Sequence, residues 1–211
     1  MSQEESQNRQ TLTSWLRQAT LPIVDGFARW LVRLGASPNT LTAGGLILAA
    51  ASGLLAAWGE YLWAGIALAV AAPFDALDGA VARAGGRVSR FGALLDSTLD
   101  RYGEAFVLTG LGYHLSRRGG SVGVLLAFVA LFGSLMVSYL RARSEGLGID
   151  NRIGLFTRLE RTVVLILMLL TGQVIVGLWV LAVLTHVTVA QRVAHARILF
   201  RAQCRAKESS E

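Results

Sequence analysis

The chain has one cysteine, Cys204, and one lysine, Lys207. A single cysteine excludes an internal disulfide. The positive charge is therefore almost all arginine, and the formal net charge is +6. Histidine is scarce as well. His114, His186 and His195 lie far apart, without the ligand spacing of a zinc site, and read as interfacial or packing residues. Charge as a whole is sparse, at 16% of 211 residues, against 53% hydrophobic residues and a mean hydropathy of +0.50. That balance departs from a soluble domain in both directions. The first ten residues are polar and lack the apolar core of a signal peptide. A basic chain can bind nucleic acid, but here the arginines flank apolar runs. An anionic membrane surface and anionic substrates fit that placement, and a nucleic-acid partner does not.

What the chain has is long apolar runs. The sequence predicts an all-α integral membrane protein with six transmembrane helices and an N-terminal interfacial amphipathic helix. Residues 1–11 form a polar tail and 12–36 the amphipathic helix, broken near Pro22, with Trp15, Phe27 and Trp30 near helical spacing. Residues 37–199 hold the six-helix domain, and 200–211 a polar tail. Spans are expected near 41–58, 61–83, 90–115, 121–143, 157–171 and 173–197. Several are rich in Gly and Ala, which lets membrane helices approach closely. The arginines gather before span one, between spans two and three, between four and five, and after six. Arg117 and Arg118 lie on the other side. This asymmetry places both termini in the cytoplasm.

Four carboxylates interrupt two of these spans. Each costs about 2.5–3.5 kcal/mol at bilayer depth if uncompensated. Asp75 and Asp78 are three residues apart on the second span, and Asp96 and Asp100 four apart on the third. Each pair therefore shares one helix face. An antiparallel turn through Arg83 and Arg90 brings the pairs together at the cytoplasmic end. Oxygen-only ligands suit hard cations such as Mg²⁺, Mn²⁺ or Ca²⁺, and two ions would offset the cost. Gly79, Ala82 and Gly92 leave room beside the acids, and Arg83 suits a phosphate oxygen. Two other readings are open. The acids could pair with Arg83 and Arg101 and only brace the bundle, or mark an ion or proton transporter. A transporter more often spreads polar residues over broken helices at the midplane.

The spacing D-x2-D-G-x2-A-R-x8-G-x3-D-x3-D, formed by Asp75, Asp78, Gly79, Ala82, Arg83, Gly92, Asp96 and Asp100, resembles that of the CDP-alcohol phosphotransferase (phosphatidyltransferase) family. The resemblance implies a homodimer of six-helix subunits with a polar cavity open to the cytoplasm. It implies transfer of a phosphatidyl-type group from a CDP-linked lipid to an alcohol, with release of CMP. It makes Asp75, Asp78 and Asp96 metal ligands, and Asp100 a ligand, a general base or both. Gly79, Ala82, Arg83 and Gly92 then line the CDP site. Pro38-Asn39-Thr40-Leu41-Thr42 is similar to a P-N-x-x-T piece of the family. Asn39 reaches the nucleotide in that reading, while helix capping is the simpler alternative. The pieces around Ser138–Arg143 and Arg158–Arg161 resemble those of phosphatidylinositol-phosphate and archaetidylinositol-phosphate synthases. By that resemblance Arg141, Arg143, Arg158 and Arg161 would meet an inositol phosphate. Glycerol phosphate would use similar charges, and serine fewer.

Overall fold

The structure is a computed structural model and describes residues 26–151 and 153–208, with side chains to residue 203. The described residues hold seven helices and no strand. They are α1 (26–33), α2 (Pro38–Trp58), α3 (Tyr61–Ala84), α4 (Arg90–Arg117), α5 (Ser121–Gly146), α6 (Arg158–Thr171) and α7 (Val174–Glu208). The break expected near Pro22 and the polar tail 1–11 lie outside the described residues. At the other end α7 stays helical across 200–208, where a polar tail was expected.

Local chemistry explains the helix ends. Pro38 sits at the first position of α2, where its missing N–H is no loss. Ser37 and Thr40 cap that end reciprocally, with Thr40 N donating to Ser37 Oγ at 3.2 Å and Ser37 N donating to Thr40 Oγ1 at 3.2 Å. Between α2 and α3 only Gly59 and Glu60 intervene. Gly59 has φ +87, and its N–H and that of Glu60 bond back to Ala56 and Leu55. A side chain there would be strained and would strike the His114 ring.

Among the described residues, four helices are long and apolar enough to cross a membrane: α2, α3, α5 and Val174–Gln203 of α7. α6, with 14 residues, is about 21 Å long, short of a roughly 30 Å hydrocarbon core. α4 is long enough but carries Arg90, Asp96, Asp100, Arg101 and Glu104 between its start and its middle. The packing is that of a protein in lipid. On α5, Val122, Leu125, Phe128, Phe132 and Tyr139 form an exposed stripe at helical spacing, while Gly123, Ala127, Ala130, Gly133 and Ser134 face inward. Large apolar groups outside and small ones inside reverse the soluble pattern.

The chain divides into two compact units, one comprising 26–45 and 72–99, the other 46–71 and 100–208. In the first, Ala28, Ala80 and Val81 are buried together, with Leu31, Val32 and Leu41 against them. In the second, a larger core includes Leu108, Leu111, Leu165, Leu169, Leu178 and Leu181. There α2 and α4 touch backbone to backbone. A Cβ added to Gly110 would sit 2.0 Å from the Gly53 carbonyl oxygen, and one added to Gly53 would sit 2.4 Å from that of Phe106.

Candidate active site

The first unit holds the motif from Asp75 to Asp96, and Asp100 belongs to the second. α3 ends in a glycine turn, with Gly85 N bonding Val81 O and Arg87 N bonding Ala82 O. Gly86, at φ +62, lets the chain reverse. Ser89 then caps α4, its Oγ accepting from Gly92 N at 2.9 Å. A Cβ on Gly92 would lie 2.9 Å from that same oxygen, so the glycine and the cap are built together. This reversal brings the acids of α3 to those of α4. Asp75 and Asp96 offer carboxylate oxygens within 4.8 Å of each other, as do Asp96 and Asp100, one turn apart on α4.

Asp78 lies on the same face of α3 but is held differently. Thr42 Oγ1 donates to Asp78 Oδ2 at 2.7 Å, and the carboxylate is buried. Thr42 closes the P-N-x-x-T piece, so that piece has a tertiary role which spacing alone did not reveal. Helix capping falls to Ser37 and Thr40, and Asn39 is left to line a cavity.

That cavity, of about 300 Å³, is lined by Asn39, Thr42, Asp78, Gly79, Ala82, Arg83, Arg87, Ser89, Gly92 and Asp96. One end is acidic. The other carries two guanidinium groups and the N-terminus of α4, where backbone N–H groups favour an anion. A Cβ on Gly79 would meet only Arg83 Nη1, at 3.4 Å, so the glycine keeps the cavity wall thin. A hard divalent cation fits the acidic end. Its donors are all carboxylate oxygens, and Asp96 Oδ1 is buried without a hydrogen-bond partner among the described residues.

The basic residues expected to meet the acceptor are not equivalent. Arg141 pairs with Glu145 at 3.0 Å on the surface, and Arg143 is exposed. In the second unit Arg158 Nη1 is 2.6 Å from Asp100 Oδ2 and keeps a side-chain exposure of 41%. Arg161 departs from expectation. It is 3% exposed and donates Nε and Nη2 to the two oxygens of Glu104, at 2.9 and 3.3 Å. A guanidinium so held does not face open solvent. Glu160 is occupied too, accepting from Thr157 N at 2.8 Å to cap α6. Sequence reasoning missed Glu104, whose only signal was its position one turn beyond Asp100. It also missed a clasp in which α7 holds the α5–α6 loop. There Asn151 Nδ2 donates to Arg192 O at 3.0 Å, and Arg192 Nε donates to Ile153 O at 2.9 Å.

A helical membrane protein with paired carboxylates beside a basic cavity defines a class of transferases acting on charged lipid precursors. Within that class the chain belongs to the CDP-alcohol phosphatidyltransferase family, whose profile matches residues 36–191. It is an integral membrane protein. An archaetidylinositol phosphate synthase of Pyrococcus horikoshii is 39% identical over 191 residues, covering 88% of this chain and 97% of that one. The crystal structure of Mycobacterium tuberculosis phosphatidylinositol phosphate synthase with CDP-DAG bound is similar, with a TM-score of 0.77 and 30% identity, covering 83% of this chain and 94% of that one. The same enzyme in complex with manganese and citrate gives a TM-score of 0.74 at 30% identity, over 82% and 88% of the two chains.

Proposed function

We propose that this enzyme transfers a phosphatidyl-type group from a CDP-diacylglycerol-like lipid to a hydroxyl of inositol phosphate, releasing CMP. The observation that carries this reading is the cavity with one acidic and one basic end, in a chain of this family. The relatives named for inositol phosphate lipids support the choice of acceptor.

Asp75, Asp78, Asp96 and Asp100 would hold Mg²⁺ or Mn²⁺, as two ions, with Thr42 orienting Asp78 from behind. Ions held there would supply positive charge to offset that of the diphosphate and make its phosphorus more electrophilic. Arg83, with Asn39, Gly79, Ala82 and Gly92 around it, seats the CDP group. Asp100 takes the proton from the acceptor hydroxyl. The hydroxyl oxygen forms a bond to the lipid-side phosphorus, the diphosphate bridge breaks, and CMP leaves with the bridging oxygen. Arg141, Arg143 and Arg158 receive the acceptor's phosphate.

In the membrane, α4 and α6 complete the bundle beside the four apolar helices, α4 with its charges turned inward and α6 reaching through only about two thirds of the hydrocarbon core, and α1 lies along the interface. Both termini and the site face the cytoplasm, as the arginine distribution favours, and the enzyme works as a homodimer. The test is CMP release by purified protein supplied with CDP-diacylglycerol and a panel of alcohols. Turnover with inositol phosphate well above that with glycerol phosphate, serine or free inositol is expected. Turnover with serine or free inositol alone would refute the acceptor. No CMP release with any alcohol would refute the reaction.

A further inference from the structure

Asp100 pairs with two arginines, and a third follows one turn further along α6. Arg158 Nη1 is 2.6 Å from its Oδ2 and Arg101 Nη1 is 3.8 Å away. Arg161, the third, follows Arg158 by one turn of α6, just as Glu104 follows Asp100 by one turn of α4. The two ion pairs are therefore successive rungs between the same two helices. Arg161 is the most deeply buried of the three, with 3% side-chain exposure, and Glu104 holds it with both carboxylate oxygens. A buried guanidinium deprived of its anion is strongly disfavoured and seeks another. Glu160 is engaged at the start of α6 and Glu145 pairs with Arg141 on the surface. The acid within one turn is Asp100. If Arg161 moved there, one carboxylate would face three cations and would be a poor ligand for a fourth.

We propose that Glu104 is a positioning residue that keeps Arg161 away from Asp100, and so keeps Asp100 available to a divalent cation and an incoming hydroxyl. This inference rests on the reading of Asp100 as metal ligand and base. Glu104 touches no substrate; its effect passes through Arg161.

The experiment measures Mn²⁺ binding to the purified full chain by electron paramagnetic resonance, alongside CMP release. E104Q keeps the shape and loses the charge, and should weaken Mn²⁺ binding and lower kcat by about tenfold each, with the KM for CDP-lipid little changed. E104Q/R161Q removes the displaced cation as well and should recover both. R161Q alone should bind Mn²⁺ as well as the parent or better, and it serves if E104Q does not fold. A pair that only braces two helices predicts the reverse: the double variant no better than E104Q, and R161Q impaired. Either of those results, or unchanged Mn²⁺ binding in E104Q, would overturn the proposal. D100N separates the two levels. If D100N binds Mn²⁺ like the parent, the ligand reading itself fails. If D100N is weakened and E104Q is not, only the role of Glu104 fails.

Discussion

The two compact units of this chain are held together by different means. Around the aspartates the buried apolar set is Ala28, Ala80 and Val81, and order comes from directed polar contacts: Thr42 on Asp78, Ser89 on Gly92, Ser37 with Thr40. In the other unit order comes from close packing, with glycines set so that α2 and α4 meet backbone to backbone. A packed bundle tolerates no added atom, while a site that must admit a charged ligand keeps open volume and holds its acids by hydrogen bonds. The same kind of substitution should therefore act on stability in one unit and on ligands in the other.

The largest effect is expected at Asp100. Asp100→Asn should lower CMP release by about 10²–10⁴-fold, the usual contribution of a general base, while CDP-lipid binding stays near that of the parent. Steady-state turnover together with a CDP-lipid binding isotherm checks this, and near-native turnover would remove Asp100 from the base role. Stripping divalent cations with excess EDTA should be equally severe and be reversed by Mg²⁺ or Mn²⁺.

Paired alanine substitutions sharpen the comparison between units. Gly110→Ala puts a carbon where the Gly53 carbonyl oxygen already lies and should cost about 1–3 kcal/mol through overpacking, seen as a lower melting temperature in detergent. Gly79→Ala meets only the end of the Arg83 side chain. It should leave the melting temperature unchanged and raise the KM for CDP-lipid. If both variants lost stability equally, the contrast between the units would be wrong.

Arg143→Gln tests the acceptor at the next level down. A charge-assisted contact to phosphate is worth about 1.5–3 kcal/mol, so the acceptor's KM should rise by about tenfold to a hundredfold while that of the CDP-lipid holds. An arginine that served only membrane topology would change expression and leave KM alone. The smallest effect is expected for Thr42→Val, which keeps the shape and removes one donor from Asp78. A loss of about 1–2 kcal/mol in Mn²⁺ binding is expected, with little change in fold. Unchanged Mn²⁺ affinity would show that Asp78 needs no support from α2.

Much of this architecture was legible in the sequence, for local reasons. Helix bounds followed from apolar runs and glycine turns: the expected spans 61–83 and 90–115 became Tyr61–Ala84 and Arg90–Arg117. The meeting of Asp75 with Asp96 followed from helical spacing on either side of a short reversal. Long-range pairing was not legible. Thr42 and Asp78 are 36 residues apart, and Glu104 and Arg161 are 57 apart. Periodicity assigns a residue to a face but does not say which residue of which helix it will meet. Arg161 looked like its neighbour Arg158, since both are arginines near the start of one helix. Burial separates them, with side-chain exposures of 41% for Arg158 and 3% for Arg161.

The length of α7 has a practical consequence. Its 35 residues extend about 52 Å, some 20 Å more than a bilayer's hydrocarbon core. Its final turns carry Arg197, Arg201, Arg205 and Lys207. With the apolar part of α7 seated in the hydrocarbon core, the excess would form a post carrying trypsin sites on one side of the membrane. In vesicles reconstituted from purified protein, trimming of this post by external trypsin would report what fraction of molecules point each way. That fraction is needed before any rate measured with a substrate confined to one side can be assigned to a single orientation.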